Sequence, residues 1–215
     1  MLLIDRDILA AVARGAIVID PFDPSSLGTN SYDVHLGPWI KTYQEHFSGR
    51  HTEPLDVNVA RGIELHHIPR VGMVLQPGEL YLASTFEYTE SHEHVPFLEG
   101  KSSLGRLGMS VHVTAGKGDV GFCNHWTMEI TVVKPLRVYA GIRVAQLIWF
   151  EASGPPMTSY KDKASAKYRT RDPMPQPSAM WRNELDAVGK FIQSEEGQRD
   201  AGMCPDPGSD PEGRR

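Results

Sequence analysis

Near the start of the chain, Ile8, Leu9, Val12 and Ala13 recur at helical spacing behind Asp5, and Gly15 follows the last of them. An acid before an apolar run can cap a helix and a glycine can end one, so the pattern predicts one short helix here. The period then changes to two. Tyr32, Val34 and Leu36 alternate with Ser31, Asp33 and His35, and Met109, Val111 and Val113 alternate with Ser110, His112 and Thr114. Successive strand side chains point to opposite faces, so these segments predict half-buried strands. Trp126, Met128, Ile130 and Val132 face one way, while Thr127, Glu129 and Thr131 face the other. Residues 71–75 and 80–86, separated by Gln76-Pro77-Gly78-Glu79, predict neighbouring strands joined by a tight turn. Residues 138–142 and 144–150 complete a run of short strands with little helix between them. That is the pattern of an all-β sandwich, barrel or jelly roll.

The strand pattern fades at Gly154-Pro155-Pro156 and gives way to a basic stretch and then to Asp172-Pro173-Met174-Pro175-Gln176-Pro177. This predicts an arm or lid over about residues 154–183 and not a second core. Leu185, Val188 and Ile192 predict a last helix over residues 181–193. Past Ser194 the Gly, Pro and acidic content predicts a disordered tail.

Composition narrows the class. A chain of 215 residues, 40% hydrophobic and 23% charged, can bury a core without disulfide or metal support. Its two cysteines, Cys123 and Cys204, stand far apart and predict reduced thiols. No segment reaches the roughly 18 uninterrupted apolar residues of a membrane span, and the first residues lack a signal-peptide plan, so the expected location is cytoplasmic. With 22 Lys and Arg against 27 Asp and Glu, the net charge of −5 argues against a nucleic-acid partner. A local exception is the set Lys161, Lys163, Lys167, Arg169 and Arg171, among which Asp162 is the only acid.

Three features carry candidate chemistry. Residues 99–108, Glu-Gly-Lys-Ser-Ser-Leu-Gly-Arg-Leu-Gly, combine hydroxyls, cations and glycines. Small residues let backbone N–H groups approach an anion, and hydroxyls and cations hold it, so phosphate binding is the natural use; a plain polar loop is the alternative. Glu129 projects from the polar face of its strand into solvent or a polar pocket. Thr114-Ala115-Gly116-Lys117-Gly118-Asp119 forms a glycine-rich turn that by itself signals only a β-connection. The pairs His92/His94 and His66/His67 come with no third ligand at a recognisable spacing, so no zinc site is expected.

Taken together, Lys101 to Gly108, Thr114-Ala115-Gly116 with Asp119, and Gly121-Phe122 leading to Thr127-Met128-Glu129 resemble the core of the dCTP deaminase branch of the dUTPase superfamily. Leu2 to Ile8, Ile19-Asp20-Pro21-Phe22, Ser31 to Gly37, Gln76 to Glu79, Ala145-Gln146-Leu147 and Tyr160 with Ala166-Lys167-Tyr168 extend the resemblance to about Asn183. It implies a distorted jelly roll with short N- and C-terminal helices, assembled as a homotrimer with nucleotide sites at the subunit interfaces. One domain would then span residues 1–183, and residues 184–215 would be a helix and tail.

The same resemblance implies a catalytic set of Glu129, Arg106, Ser102 and Ala115. The implied substrate-binding set is Lys101, Ser102, Ser103, Leu104, Gly105, Arg106, Asp119, Thr127, Met128, Glu129, Gln146, Tyr160, Lys167 and Arg171. In this reading the first cluster meets the phosphates, Ala115 and Asp119 line base and sugar, Thr127 and Glu129 sit at the cytosine, and the basic stretch closes over the triphosphate. Mg²⁺ would bind with the triphosphate, with no protein-held metal and no zinc. Ligands would be dCTP and also dUTP or dTTP. Lys101 and Gly116 are similar to the bifunctional, dUMP-forming members, whereas Asn124 stands where glycine is common. Two alternatives stay open: a dUTPase acting only on dUTP, and a non-catalytic nucleotide-binding regulatory trimer.

Overall fold

The computed structural model describes residues 1–45, 47–48, 51–112 and 115–182. Of the expected C-terminal helix only Trp181 and Arg182 are among them; the rest of that helix and the tail lie outside the described residues. The opening helix, α1, spans Asp5–Ala13. Asp5 is its first residue and not its cap. The Asp5 N–H donates to the Thr29 carbonyl, and its carboxylate accepts from the adjacent Arg6 N–H instead of reaching into the first turn. Ile8 and Ala11 form the buried line, leaving Leu9 44% exposed. Gly15 ends the helix with φ 75°, a conformation that costs glycine little.

The strands are β1 Ile17–Asp20, β2 Tyr32–Tyr43, β3 Phe47–Ser48, β4 His51–Thr52, β5 Ile63–His67, β6 Met73–Leu75 and β7 Tyr81–Thr85. They continue as β8 Tyr88–Ser91, β9 His94–Gly100, β10 Met109–Ser110, β11 Phe122–Asn124, β12 Thr127–Val132, β13 Leu136–Val138 and β14 Arg143–Glu151. One helical turn, α2, spans Ser102–Gly105. The fold is all-β, as the alternation predicts. A seven-stranded sheet runs β10-β12-β7-β2-β14-β9, with β5 also on β2; a three-stranded sheet runs β1-β8-β11; β6 pairs β13 and β3 pairs β4. The core is lined by alternate residues of the long strands: Tyr32, Val34, Leu36 and Ile40 of β2, Met128 and Ile130 of β12, and Val144, Leu147 and Trp149 of β14. Fully burying one such side chain contributes about 1.5–3 kcal/mol.

Two expectations change. The segments around 71–75 and 80–86 are not partners: β6 pairs β13, and β7 lies between β12 and β2. All five β7 residues are buried, so the strand is central and requires a long neighbour on each side, which the three residues of β6 cannot supply. The strand expected at 138–142 lies instead at Leu136–Val138, and Gly141, at φ 82°, turns the chain into β14.

The described residues form two compact units. The first holds residues 1–53 and 61–177 and contains every sheet above and the arm as far as Pro177. The second holds residues 54–60 and, among the described residues, 178–182. In it, Asp56 closes a turn by accepting from Asn58 N–H at 2.8 Å, and the Arg182 guanidinium lies 5.3 Å from the Trp181 ring. Among the described residues no helix is long and apolar enough to cross a membrane.

Candidate active site

Pairing of β12 with β7 sets Glu129 opposite Leu82. Period two then buries Met128 and Ile130 and leaves Thr127, Glu129 and Thr131 on the open face. The Glu129 side chain is 40% exposed, and a carboxylate oxygen lies 2.8 Å from Nδ1 of His112, whose ring is only 7% exposed. Nε2 of His112 is buried and has no partner among the described residues. Thr127 Oγ1 accepts from the Gln176 N–H of the arm at 2.9 Å. Met128, expected in the substrate-binding set, lies between the open-face residues Thr127 and Glu129. Its side chain is fully buried in the core, because the alternation that opens Glu129 to solvent turns its neighbours inward. Only its main chain can face a ligand.

The phosphate-type cluster follows β9. Lys101 precedes α2, and its Nζ donates to Asp33 at 2.5 Å, while Arg143 Nε stands 4.0 Å from the other Asp33 oxygen. Gln146 lies directly opposite Asp33 across β14 and β2, so the two residues share one face of the sheet. Ser102, Ser103, Gly105 and Arg106 are exposed, and Leu104 packs against the core. Among the described residues no hydrogen bond or ion pair joins Ser102, Ser103 or Arg106 to Glu129.

The glycine-rich turn and the arm enclose a cleft of about 310 Å³. It is lined by Val95, Lys117, Gly118, Asp119, Val120, Pro156, Thr158, Tyr160 and Lys163. Lys117 Nζ donates to Asp119 at 2.8 Å. Ala115 is exposed at the head of the turn. A Cβ at Gly116 would stand 2.6 Å from the Leu98 carbonyl oxygen, and one at Gly118 would stand 2.7 Å from the Trp126 ring. The turn therefore packs closer than any side chain allows. Tyr160 is held by its N–H to the Val120 carbonyl, and its hydroxyl accepts from Tyr168 N–H at 3.2 Å; burial pushes the phenol pKa up. Lys167, next to Tyr168 in the chain, is half-buried.

The arm is seated by Asn124, which is 2% exposed. Its amide nitrogen donates to the carbonyls of Tyr168 and Thr170, and its oxygen accepts from His125 N–H and Asp172 N–H. All the hydrogen-bonding positions of one side-chain amide are thus used. Ser84 Oγ donates to the Pro173 carbonyl at 2.6 Å. Arg171 lies 3.9 Å from the Tyr88 ring centroid and 3.6 Å from an Asp20 oxygen, on the outside of this seat.

A family model described as dCTP deaminase-like matches residues 2–152. The chain belongs to the dCTP deaminase-like family. It is 41% identical over 183 residues to a protein of Leptospira biflexa named dCTP deaminase, dUMP-forming, covering 85% of this chain and 98% of the relative. A protein of the same name from Cytophaga hutchinsonii is 42% identical over 167 residues, covering 78% and 90%. Among solved structures, 2'-deoxycytidine 5'-triphosphate deaminase from Agrobacterium tumefaciens superposes with a TM-score of 0.54 at 22% identity, covering 70% of this chain and 48% of that one, and so shares the fold.

Within this dCTP deaminase-like chain the structure brings Asp119 and Tyr160 to one cleft and Lys101 to the Asp33 carboxylate, with Gln146 opposite Asp33 in the sheet. It adds contacts that the sequence does not predict: His112 behind Glu129, Asp33 at Lys101, Lys117 and Lys163 in the cleft, and Asn124 under the arm. His112 was visible as a polar-face strand residue, but nothing in the spacing paired it with Glu129, 17 residues on.

Proposed function

We propose that the chain deaminates dCTP at C4 of the cytosine and carries the resulting dUTP through to dUMP and pyrophosphate. The observation that carries this reading is Glu129, a half-exposed carboxylate buttressed by a nearly buried imidazole, in a chain about 41% identical to a protein named dCTP deaminase, dUMP-forming. Deamination requires a group that can both take and return protons beside the base. In the proposed step Glu129 accepts a proton from water as the water oxygen bonds to C4, and returns it to N3. The C4–N4 bond then breaks, ammonia leaves with a second proton, and a carbonyl remains at C4. Arg106 stabilises the developing charge, and the exposed main chain at Ala115 and the Ser102 hydroxyl orient the water.

The second step is attack of water on the α-phosphorus, breaking its bond to the bridging oxygen and releasing pyrophosphate. The cleft supplies two lysines and a single carboxylate, Asp119, which is already paired with Lys117. That donor set suits a cation brought in on the triphosphate and not one held in a protein cage. Bound in that way, Mg²⁺ supplies charge neutralisation for the leaving pyrophosphate. Lys101, Ser103 and Gln146 hold the phosphates, with Tyr160, Lys167 and Arg171 closing from the arm; Asp119 and Thr127 orient sugar and base.

Exposure of Ser102, Ser103 and Arg106, apart from Glu129, supports a jelly-roll homotrimer in which one subunit's phosphate cluster completes another's carboxylate site. Incubation with dCTP and Mg²⁺, resolving ammonia, dUTP, dUMP and pyrophosphate, tests the function. The expected products are ammonia, dUMP and pyrophosphate with little free dUTP. Free dUTP without pyrophosphate would limit the reaction to deamination. Hydrolysis of added dUTP without ammonia from dCTP would leave a dUTPase, and binding without turnover a regulatory protein.

A further inference from the structure

Away from the cleft lining, β8 and β11 bring three different ligand types to one spot. Cys123 lies directly opposite Glu90 in the antiparallel pair, and His92 follows Glu90 by two residues. Ligand atoms of Glu90, His92 and Cys123 all lie within 4.8 Å of one another, and all three residues are half-buried. His92 Nε2 stands 2.7 Å from one Glu90 oxygen, and the Tyr88 hydroxyl donates to the other at 2.8 Å. The meeting depends on register, because a slip of one residue would turn Cys123 to the opposite face of the sheet.

We propose that Glu90, His92 and Cys123 form a binding site for a thiophilic divalent cation of the zinc type. Thiolate, imidazole and carboxylate are the groups zinc takes, and three protein ligands with one position left for water complete a tetrahedron. Hard cations such as Mg²⁺ prefer oxygen ligands and would leave the sulfur unused. Zinc–ligand bonds of about 2.0–2.3 Å put tetrahedral neighbours about 3.3–3.7 Å apart, within reach of small side-chain movements from the present positions. Tyr88 supplies the outer contact that orients the carboxylate, the role such partners play around metal ligands.

The charges balance. Burial, with Glu90 close by, pushes the Cys123 thiol pKa up, so the free chain carries S–H there. Cation binding breaks that bond, forms sulfur–metal and releases one proton per site. Thiolate and carboxylate then neutralise the two positive charges. Lys161 and Arg171 face the cluster from the arm and favour the anionic ligands while opposing the cation, so both ligand charges are required. The bound ion would tie β8 to β11, the strand between Asp119 and Thr127. This reading does not depend on the proposed reaction.

The test titrates the reduced full chain with Zn²⁺ against a chromophoric chelator, without nucleotide. The expected result is one equivalent per chain, weakened at least tenfold by Cys123→Ser and by His92→Ala, about 10–100-fold by Tyr88→Phe, and unchanged by Cys204→Ser. A measurement on the unaltered chain guards against variants that fail to fold. Zn²⁺ should slow alkylation of Cys123 at least tenfold while leaving Cys204 reactive, as located by peptide mass, and Co²⁺ should give a thiolate charge-transfer band. Less than one equivalent, binding that survives loss of both Cys123 and His92, or alkylation of Cys123 indifferent to Zn²⁺ would overturn the site.

Discussion

His112 Nδ1 and a carboxylate oxygen of Glu129 stand 2.8 Å apart, linking a nearly buried ring to a half-exposed acid. The contact leaves the second Glu129 oxygen to face a ligand and restricts the rotation of the carboxylate. A general acid–base group acts only from a defined position, so in the proposed reaction His112 would be a positioning residue for Glu129.

Glu129→Gln keeps the size of the side chain and removes its exchangeable proton. Ammonia release from dCTP should fall by about 10²–10⁴ while nucleotide binding persists. A fall of less than tenfold at saturating dCTP would remove Glu129 from the proton-transfer role.

His112→Asn should lower kcat more than it raises KM, because the carboxylate loses its neighbour while the binding groups remain. A change in thermal stability with kcat and KM unaltered would make the contact purely structural.

Asn124→Gly removes four hydrogen bonds, three of them to the arm. At about 0.5–1.5 kcal/mol for each, the arm should lose a large part of its seating. Amide exchange across residues 168–172 should accelerate and KM for dCTP should rise. Unchanged exchange would show that Ser84 and Thr127 suffice.

Addition of dCTP and Mg²⁺ should slow exchange across residues 158–171 beyond its level in the free chain, since Lys163 and Tyr160 line the cleft with Lys117. Deoxycytidine, lacking phosphates, should slow it much less. Equal protection by the nucleoside would mean that the basic stretch does not read the triphosphate.

Gly116→Ala would bring a Cβ to 2.6 Å from the Leu98 carbonyl, which is backbone and cannot rotate away. A cost of about 1–3 kcal/mol in stability follows from such overpacking. Thermal unfolding indistinguishable from that of the parent chain would show that the turn relaxes freely.

Alternation made the faces of β12 legible from sequence: Trp126, Met128, Ile130 and Val132 are all buried, and Glu129 is open. It also gave the all-β class. What it could not give was partners, since a period of two fixes which way a side chain points and not which strand lies beside it. For that reason β6 and β7 read as a pair, and Glu129 read as solitary. The histidine pair illustrates the same limit. His92 and His94 are separated by the turn between β8 and β9, which breaks the alternation, and His92 meets Glu90 and Cys123 instead.

Asn124 grips the arm only through main-chain atoms of Tyr168, Thr170 and Asp172. No arm side chain takes part in those bonds, so these contacts do not themselves depend on which side chains stand at positions 168, 170 and 172. A side chain can therefore be exchanged at Thr170 without removing an Asn124 contact, whereas exchange at Arg171 would cost its contacts with Tyr88 and Asp20.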